Sequence, residues 1–322
     1  MLNDTTLSDE LFKTTNLCVV GNINRDIKLA PIAPGSYLCE DGETPVPWTA
    51  ESVGGGGANS ACAAAALGAR VGFLGKVGAD ALGKRLEEVL LAHGVTARLS
   101  RSPACQTGTS VNLAFSNGCR HFISSLPNNE ALSFDDLDLA ALQGYNHLLR
   151  SDVWFSTVML RGGNEQLFRQ ARQLGMRTSL DINWDPQWNS GERNLIAERK
   201  RLLQQALPWV SLAHGNTREL MAFTGAESLQ ASLRQLERWG VEGVVVHLGA
   251  EGSGYYERGS FVTSPAVAAA GRVNTTGTGD VLSVCMILLD GRGDIPMASK
   301  LGLANQVVSE FIAGKRSLIP AL

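Results

Sequence analysis

The chain has 322 residues, of which 44% are hydrophobic and 18% charged, and a formal net charge of −3 at pH 7. This length and apolar share suit one large α/β core or two smaller ones, and exclude a disordered, collagen-like or fibrous chain. With so small a charge and no run of five Lys or Arg residues, neither nucleic acid nor an anionic membrane is an expected partner, and small, locally bound ligands are favoured.

Six cysteines, Cys18, Cys39, Cys62, Cys105, Cys119 and Cys285, are widely spaced with no C-x-x-C pair, and read as reduced thiols of a cytosolic protein. The five histidines, His93, His121, His147, His214 and His247, have no metal-binding spacing. The opening MLNDTTLSDELFKTTN is polar and mixed in charge, unlike a signal peptide. No apolar run reaches the roughly 20 residues of a membrane span, and a cytoplasmic location is expected.

In chain order, Leu17 to Val20 form a short apolar run that stops at Gly21, as a buried strand ending at a ligand-facing loop would. Residues 32–52 are rich in Pro, Gly, Thr and Glu and read as short exposed strands or an excursion from the core. GGGGANSACAAAALGA then opens a small-residue helix at the glycines of 54–57 and closes it at Gly68. RVGFLGKVG reads as a strand and ADALGKRLEEVLLAHGV as an amphipathic helix. TGTSVNLAFSNGCRHFISS reads as a hairpin turning at Asn117-Gly118. From Asp135, β-type and helical segments alternate, beginning with VWFSTVM as a β-type segment before the helical NEQLFRQARQLG, and continuing through RTSLDIN, ERKRLLQQALPW, VSLAHGN, TRELMAFTG, LQASLRQLERWG and VEGVVVHLG. That alternation predicts β-α-β units on a parallel sheet, with ligands at the strand carboxyl ends.

Two glycine clusters carry the chemistry. In NTTGTGDVLSV, Gly277 and Gly279 flank Thr278 directly before Asp280 and an apolar helical run. The backbone N–H groups can converge on a phosphate at the helix amino end, and Asp280 can accept a proton from an attacking hydroxyl. Equally, Asp280 can be the cap of a helix after a glycine turn. In the second cluster, Gly55, Gly56 and Asn59 lack the Lys-Ser/Thr of a Walker loop and the third glycine of a dinucleotide fingerprint. They suit either a hydroxyl-rich ligand or close helix-to-sheet packing.

These two segments, in this order and about 220 residues apart, resemble the signatures of the PfkB, or ribokinase-like, family of carbohydrate kinases, and the resemblance runs from VVGNINRDI to GKRSLIP. It implies a single domain over 1–322: a ribokinase-like α/β core, with a mostly parallel sheet flanked by helices, and a small β lid from segments near 28–53 and 104–127. It also implies transfer of the ATP γ-phosphoryl group to a sugar hydroxyl with Mg²⁺, Asp280 as base and the backbone of Gly277, Thr278 and Gly279 as anion hole. Sugar binding falls to Asn24, Asp26, Gly55, Gly56 and Asn59. The nucleotide side falls to Asn216, Glu219, His247, Gly249 and Asn305, with Glu219 acting indirectly on Mg²⁺. By the same residues, Asn216 and Glu219 form a helix capping box, and both readings can hold together. A homodimer through the lids is a further implication, and Arg120 and His121 are placed to reach the sugar from the lid.

Three departures from the family stand out, one being Gly56, where ribokinase itself often has Lys, so ribose is not favoured. Asn274 occupies the place of an Asp that helps hold a monovalent cation, so weak or absent potassium activation is expected. In DINWDPQW, Asp185 stands where fructokinases and 2-keto-3-deoxygluconate kinases carry Arg, so neither substrate carries over. A nucleoside kinase of the same superfamily and a catalytically silent sugar-binding regulator remain the alternatives.

Overall fold

The computed structural model of the chain describes residues 10–269 and 276–322. Its strands are β1 (Asn16–Val20), β2 (Asn24–Leu29), β3 (Thr49–Gly54), β4 (Arg70–Gly78), β5 (Val95–Ser102), β6 (Thr109–Ala114), β7 (Arg120–Ser125), β8 (His147–Arg150), β9 (Arg177–Asp181), β10 (Leu212–Asn216), β11 (Gly243–His247), β12 (Ser253–Glu257) and β13 (Ser260–Ser264). Nine of them form one sheet in the order β13-β12-β11-β10-β9-β8-β1-β4-β5. The ladder is parallel from β11 to β5, and β12 and β13 add an antiparallel edge.

β1 is apolar from Leu17 to Val20 because both of its faces are covered there, as a central parallel strand requires. Leu17 and Val19 enter one hydrophobic core, which includes the helices Gly56–Ala66 and Thr278–Asp290, while Cys18 and Val20 enter the core on the opposite face. The Thr278–Asp290 helix is buried at every position from Val281 to Leu289, the pattern of a helix enclosed in the core.

The chain runs outward from β1 in two directions, to β4 and β5 on one side and to β8 on the other. Loops leaving β1 and β8 therefore diverge and open a crevice at the strand carboxyl ends, where doubly wound sheets bind their ligands. Asn22 follows β1 at this crevice and Asp152 follows β8.

A separate four-stranded sheet, β3-β2-β6-β7, stands beside this crevice. β2 pairs parallel with β6, and the predicted Asn117-Gly118 hairpin joins the antiparallel β6 and β7. Among the described residues, no helix is long and apolar enough to cross a membrane.

One predicted segment moves. VWFSTVM is not a strand: the strand lies just before it, at His147–Arg150, and Asp152 then takes a left-handed backbone (φ 55°) that ends extended pairing. Buried Trp154 instead anchors the segment as a loop, its Nε1–H donating to the carbonyl of Ile182 at 2.5 Å.

The Gly56–Ala66 helix approaches β1 so closely that a Cβ on Gly57 would lie 2.6 Å from the Cα of Gly21. Neither backbone can yield without tilting the helix that carries Asn59. Gly57→Ala is therefore expected to destabilise the fold by about 1–3 kcal/mol, the cost of overpacking. Urea unfolding of the two proteins checks this, and an unchanged midpoint would refute the close packing.

Candidate active site

The crevice is a cavity of about 1310 Å³, lined both by the carboxyl ends of the parallel strands and by the small sheet. At its floor, Gly277 adopts a left-handed φ of 83° as the N-cap of the Thr278–Asp290 helix, a conformation that glycine reaches without strain. Among the described residues, no side-chain hydrogen bond to the N-cap of this helix is present. Its amino end, formed by Gly277, Thr278 and Gly279, faces the cavity and suits an anion through backbone N–H groups and the helix dipole.

Asp280 lies in the first turn and accepts a hydrogen bond from Asn59 Nδ2 at 3.2 Å. Burial pushes its carboxyl up to about 8, and the charges of Asp152, Glu219 and Asp26 act in the same direction against the bond from Asn59. Among the described residues, buried Asn59 Oδ1 has no hydrogen-bond partner, an acceptor suited to a ligand hydroxyl. Asn24 and Asp26 leave the cavity wall together on β2, Asn24 Nδ2 donating to Asp26 Oδ1 at 2.8 Å. Burial raises the Asp26 carboxyl to about 6, with Lys28 pulling the other way. Gly55 and Gly56 line the same wall.

Asn216 and Glu219 are both a capping box and cavity residues. Asn216 Oδ1 accepts from the Glu219 backbone N–H at 2.9 Å, and Glu219 Oε2 from that of Asn216 at 2.8 Å. His247 also lines the cavity, with Nε2 3.2 Å from Ser283 Oγ. A Cβ on Gly279 would meet the His247 ring at 3.4 Å, so the ring backs the anion-facing turn. Burial lowers His247 to about 4 and keeps it neutral.

Two predicted residues lie apart from the cavity lining. Gly249 sits in an exposed turn after β11, and buried Asn305 donates from Nδ2 to the carbonyls of Ser264 and Pro265, holding the chain as it leaves β13. Asn274 lies outside the described residues. Of the lid candidates, Arg120 donates from Nη1 to Thr276 Oγ1 at 2.8 Å, beside the glycine turn, and His121 also reaches the cavity.

Sequence reasoning missed Asp152. Its Oδ2 accepts from the backbone N–H of Gly57 at 2.8 Å and of Asn22 at 3.2 Å, tying the Gly56–Ala66 helix to the β1 loop. Its own N–H donates to Oδ1 of Asn183, which is also left-handed at φ 49°. Two such non-glycine residues in contact mark backbone strain held at a site. Asp181, likewise not singled out, is buried at the end of β9, and burial with the charges of Asp280, Glu219 and Asp152 holds it well above the usual carboxylate range. Position was the available signal: both stand at carboxyl ends of parallel strands.

Among the described residues, no group of three or more His, Cys, Asp or Glu side chains is arranged to hold a metal. A divalent ion here would depend on phosphate oxygens and water, the usual habit of Mg²⁺, with Glu219 as the nearby carboxylate.

Residues 14–287 match the model of the pfkB family carbohydrate kinases. A ribokinase of Arabidopsis thaliana is 28% identical over 282 residues, covering 83% of this chain and 68% of that protein. A probable fructokinase-4 of the same plant is 27% identical over 311 residues, covering 92% and 90%. The crystal structure of a putative ribokinase II from E. coli, in complex with ATP and Mg²⁺, superposes with a TM-score of 0.78 at 21% identity, over 94% of this chain and 96% of that one.

The raised Asp280 carboxyl has a stability consequence. Its folded pKa lies above the unfolded value of about 3.9, so the folded state binds the proton more tightly, and stability is lost as pH rises from there through about 8. Asp280→Asn removes that loss. Denaturant unfolding of the unliganded proteins should show the variant more stable at pH 9, by on the order of 1–3 kcal/mol, with the gap narrowing at pH 5; a gap independent of pH would contradict the assignment.

Proposed function

The chain belongs to the pfkB family of carbohydrate kinases, and from that premise we propose that it transfers the γ-phosphoryl group of ATP to a hydroxyl of a small carbohydrate. One observation carries the reading: Asp280 stands in the first turn of a glycine-led helix amino end, and both line one cavity with Asn59.

The chemistry follows from that arrangement. The acceptor hydroxyl oxygen forms the new O–P bond, its proton passes to an Asp280 carboxylate oxygen, and the bond between the γ-phosphorus and the bridging oxygen breaks with its electron pair leaving on ADP. A base contributes roughly 10²- to 10⁴-fold, most effectively when its pKa is near the working pH. The burial that raises Asp280 thus makes it a stronger base than an exposed aspartate. The N–H groups of Gly277, Thr278 and Gly279 receive the charge carried by the transferring group, as phosphoryl transfer demands. Mg²⁺ bound with the nucleotide would neutralise phosphate charge, Glu219 orienting its water.

Asn24, Asp26, Gly55, Gly56 and Asn59 hold the sugar. The orphaned Asn59 Oδ1 accepts from one of its hydroxyls while Nδ2 keeps the Asp280 carboxylate aimed. The small sheet acts as a lid that excludes water, so that the phosphoryl group reaches the sugar and not solvent. His247, neutral and packed on Gly279, supports the anion-binding turn without adding charge.

Phosphotransfer to a panel of sugars tests the assignment. Asp280→Asn should lower kcat by at least about 10²-fold while sugar binding survives; unchanged turnover would remove Asp280 from the mechanism. In the wild type, kcat/KM should fall as pH drops below about 8. Asp152→Asn, which deletes the largest neighbouring charge acting on Asp280, should move that limb to lower pH, and a limb that stays in place would show that Asp152 does not set it.

A further inference from the structure

The cavity wall beyond Asp152 holds a guanidinium that the proposed mechanism leaves unused. Arg199, on the helix Arg193–Gln204, donates from Nε to Asp185 Oδ2 at 2.7 Å and from Nη2 to Asp185 Oδ1 at 3.1 Å, the two-pronged arrangement that fixes both position and plane. Nη2 also donates to the carbonyl of Trp154, two residues after Asp152. Asp185 is completely buried, Arg199 is 8% exposed, and both line the cavity. Among the described residues, the remaining nitrogen, Nη1, makes no hydrogen bond.

Asp185 is itself fixed, since its Oδ1 accepts from the Gln187 backbone N–H at 3.0 Å as the N-cap of the turn Pro186–Asn189. The pair is therefore a rigid donor whose positive charge is cancelled at contact distance. Such a group can hydrogen-bond a hydroxyl or carbonyl oxygen through Nη1, yet offers a carboxylate or phosphate little net attraction.

The surrounding charge points the same way. Asp26, Asp152, Asp181 and Asp280 all line this cavity, and any of them that ionises repels an anionic acceptor. Of the other cavity arginines, Arg120 is bonded to Thr276 beside the glycine turn, and exposed Arg218 stacks 3.9 Å over the Trp184 ring, next to Glu219 in sequence. Both are engaged by these contacts, Arg120 beside the glycine turn and Arg218 on an aromatic face.

We infer that the acceptor is an uncharged polyhydroxy compound, and that Arg199, clamped by Asp185, is a specificity-determining residue that reads one of its neutral oxygens through Nη1. This rests on the kinase reading above. It also gives the departure at Asp185 a purpose: the carboxylate masks a cation that would otherwise select acidic acceptors.

The test compares acceptors of matched length with ATP and Mg²⁺: neutral aldoses, ketoses and polyols against aldonic acids, 2-keto-aldonic acids and sugar phosphates. Wild-type kcat/KM should favour the neutral series by at least about 10²-fold, the discrimination that like-charge repulsion and a masked cation support. Asp185→Asn preserves the side-chain shape and the Gln187 contact but unmasks the guanidinium, and should shift the acid-to-neutral ratio of kcat/KM upward by about 10-fold or more. Arg199→Lys keeps the charge and loses the fork, and should raise KM for the neutral acceptor about 10-fold with kcat nearly kept. Should Asp185→Asn fail to fold, the wild-type panel and Arg199→Lys decide. Wild-type preference for a carboxylate or phosphate acceptor overturns the inference while leaving the kinase intact, as does a folded Asp185→Asn with an unchanged ratio. Transfer to no acceptor of either class overturns the kinase reading and the inference with it.

Discussion

Everything at this site depends on gathering carboxylates where water is scarce. Asp26, Asp152, Asp181 and Asp280 come from the small sheet, two strand ends and a helix start, and burial raises the pKa of each. A cluster of like charges in low dielectric favours dispersal, so the fold must hold it by other means. The two cores flanking the parallel sheet do so, with the Thr278–Asp290 helix, buried from Val281 to Leu289, packed on one of them. Stability is spent to keep a carboxylate basic, the trade that active sites commonly make.

Asp152 links that electrostatic constraint to the backbone. By accepting from Gly57 and Asn22 it joins three segments, and by its charge it raises Asp280. The glycines at 21 and 57 permit the approach. The same loop region, through Trp154, holds Arg199, so the groups assigned to the acceptor share one hydrogen-bonded wall. The His247 ring backs the Gly279 turn and the Asn216–Glu219 box caps its own helix, the two features proposed above to face the nucleotide. Carboxylates, a helix amino end suited to an anion, and exposed arginines thus line one cavity.

What the sequence revealed was local. β4 lies where RVGFLGKVG predicts it, and the Asn117-Gly118 hairpin and the Asn216–Glu219 capping box are short-range patterns that need no tertiary knowledge. Asp280 and Asn59 were legible because glycine spacing announces a helix amino end. Asp152 was not, since its importance arises from contacts to Gly57 and Asn22, 95 and 130 residues away in sequence. The Asp185 departure was visible as a letter, but its meaning required Arg199, which only the packed helix supplies. VWFSTVM shows the opposite failure: an apolar, β-branched run reads as a strand until a left-handed Asp152 and a buried Trp154 override its propensity. Gly249 and Asn305 show family position carrying residues to a neighbourhood that the cavity lining does not include.

The central claim is that the fold keeps Asp280 basic before any substrate arrives, and direct titration tests it most plainly. Carboxyl resonances of the unliganded protein, carbon-13 labelled at aspartate and compared with Asp280→Asn, should reveal one signal lost in the variant that titrates near 8. A signal titrating near 4, the value of an ordinary aspartate, would contradict the account.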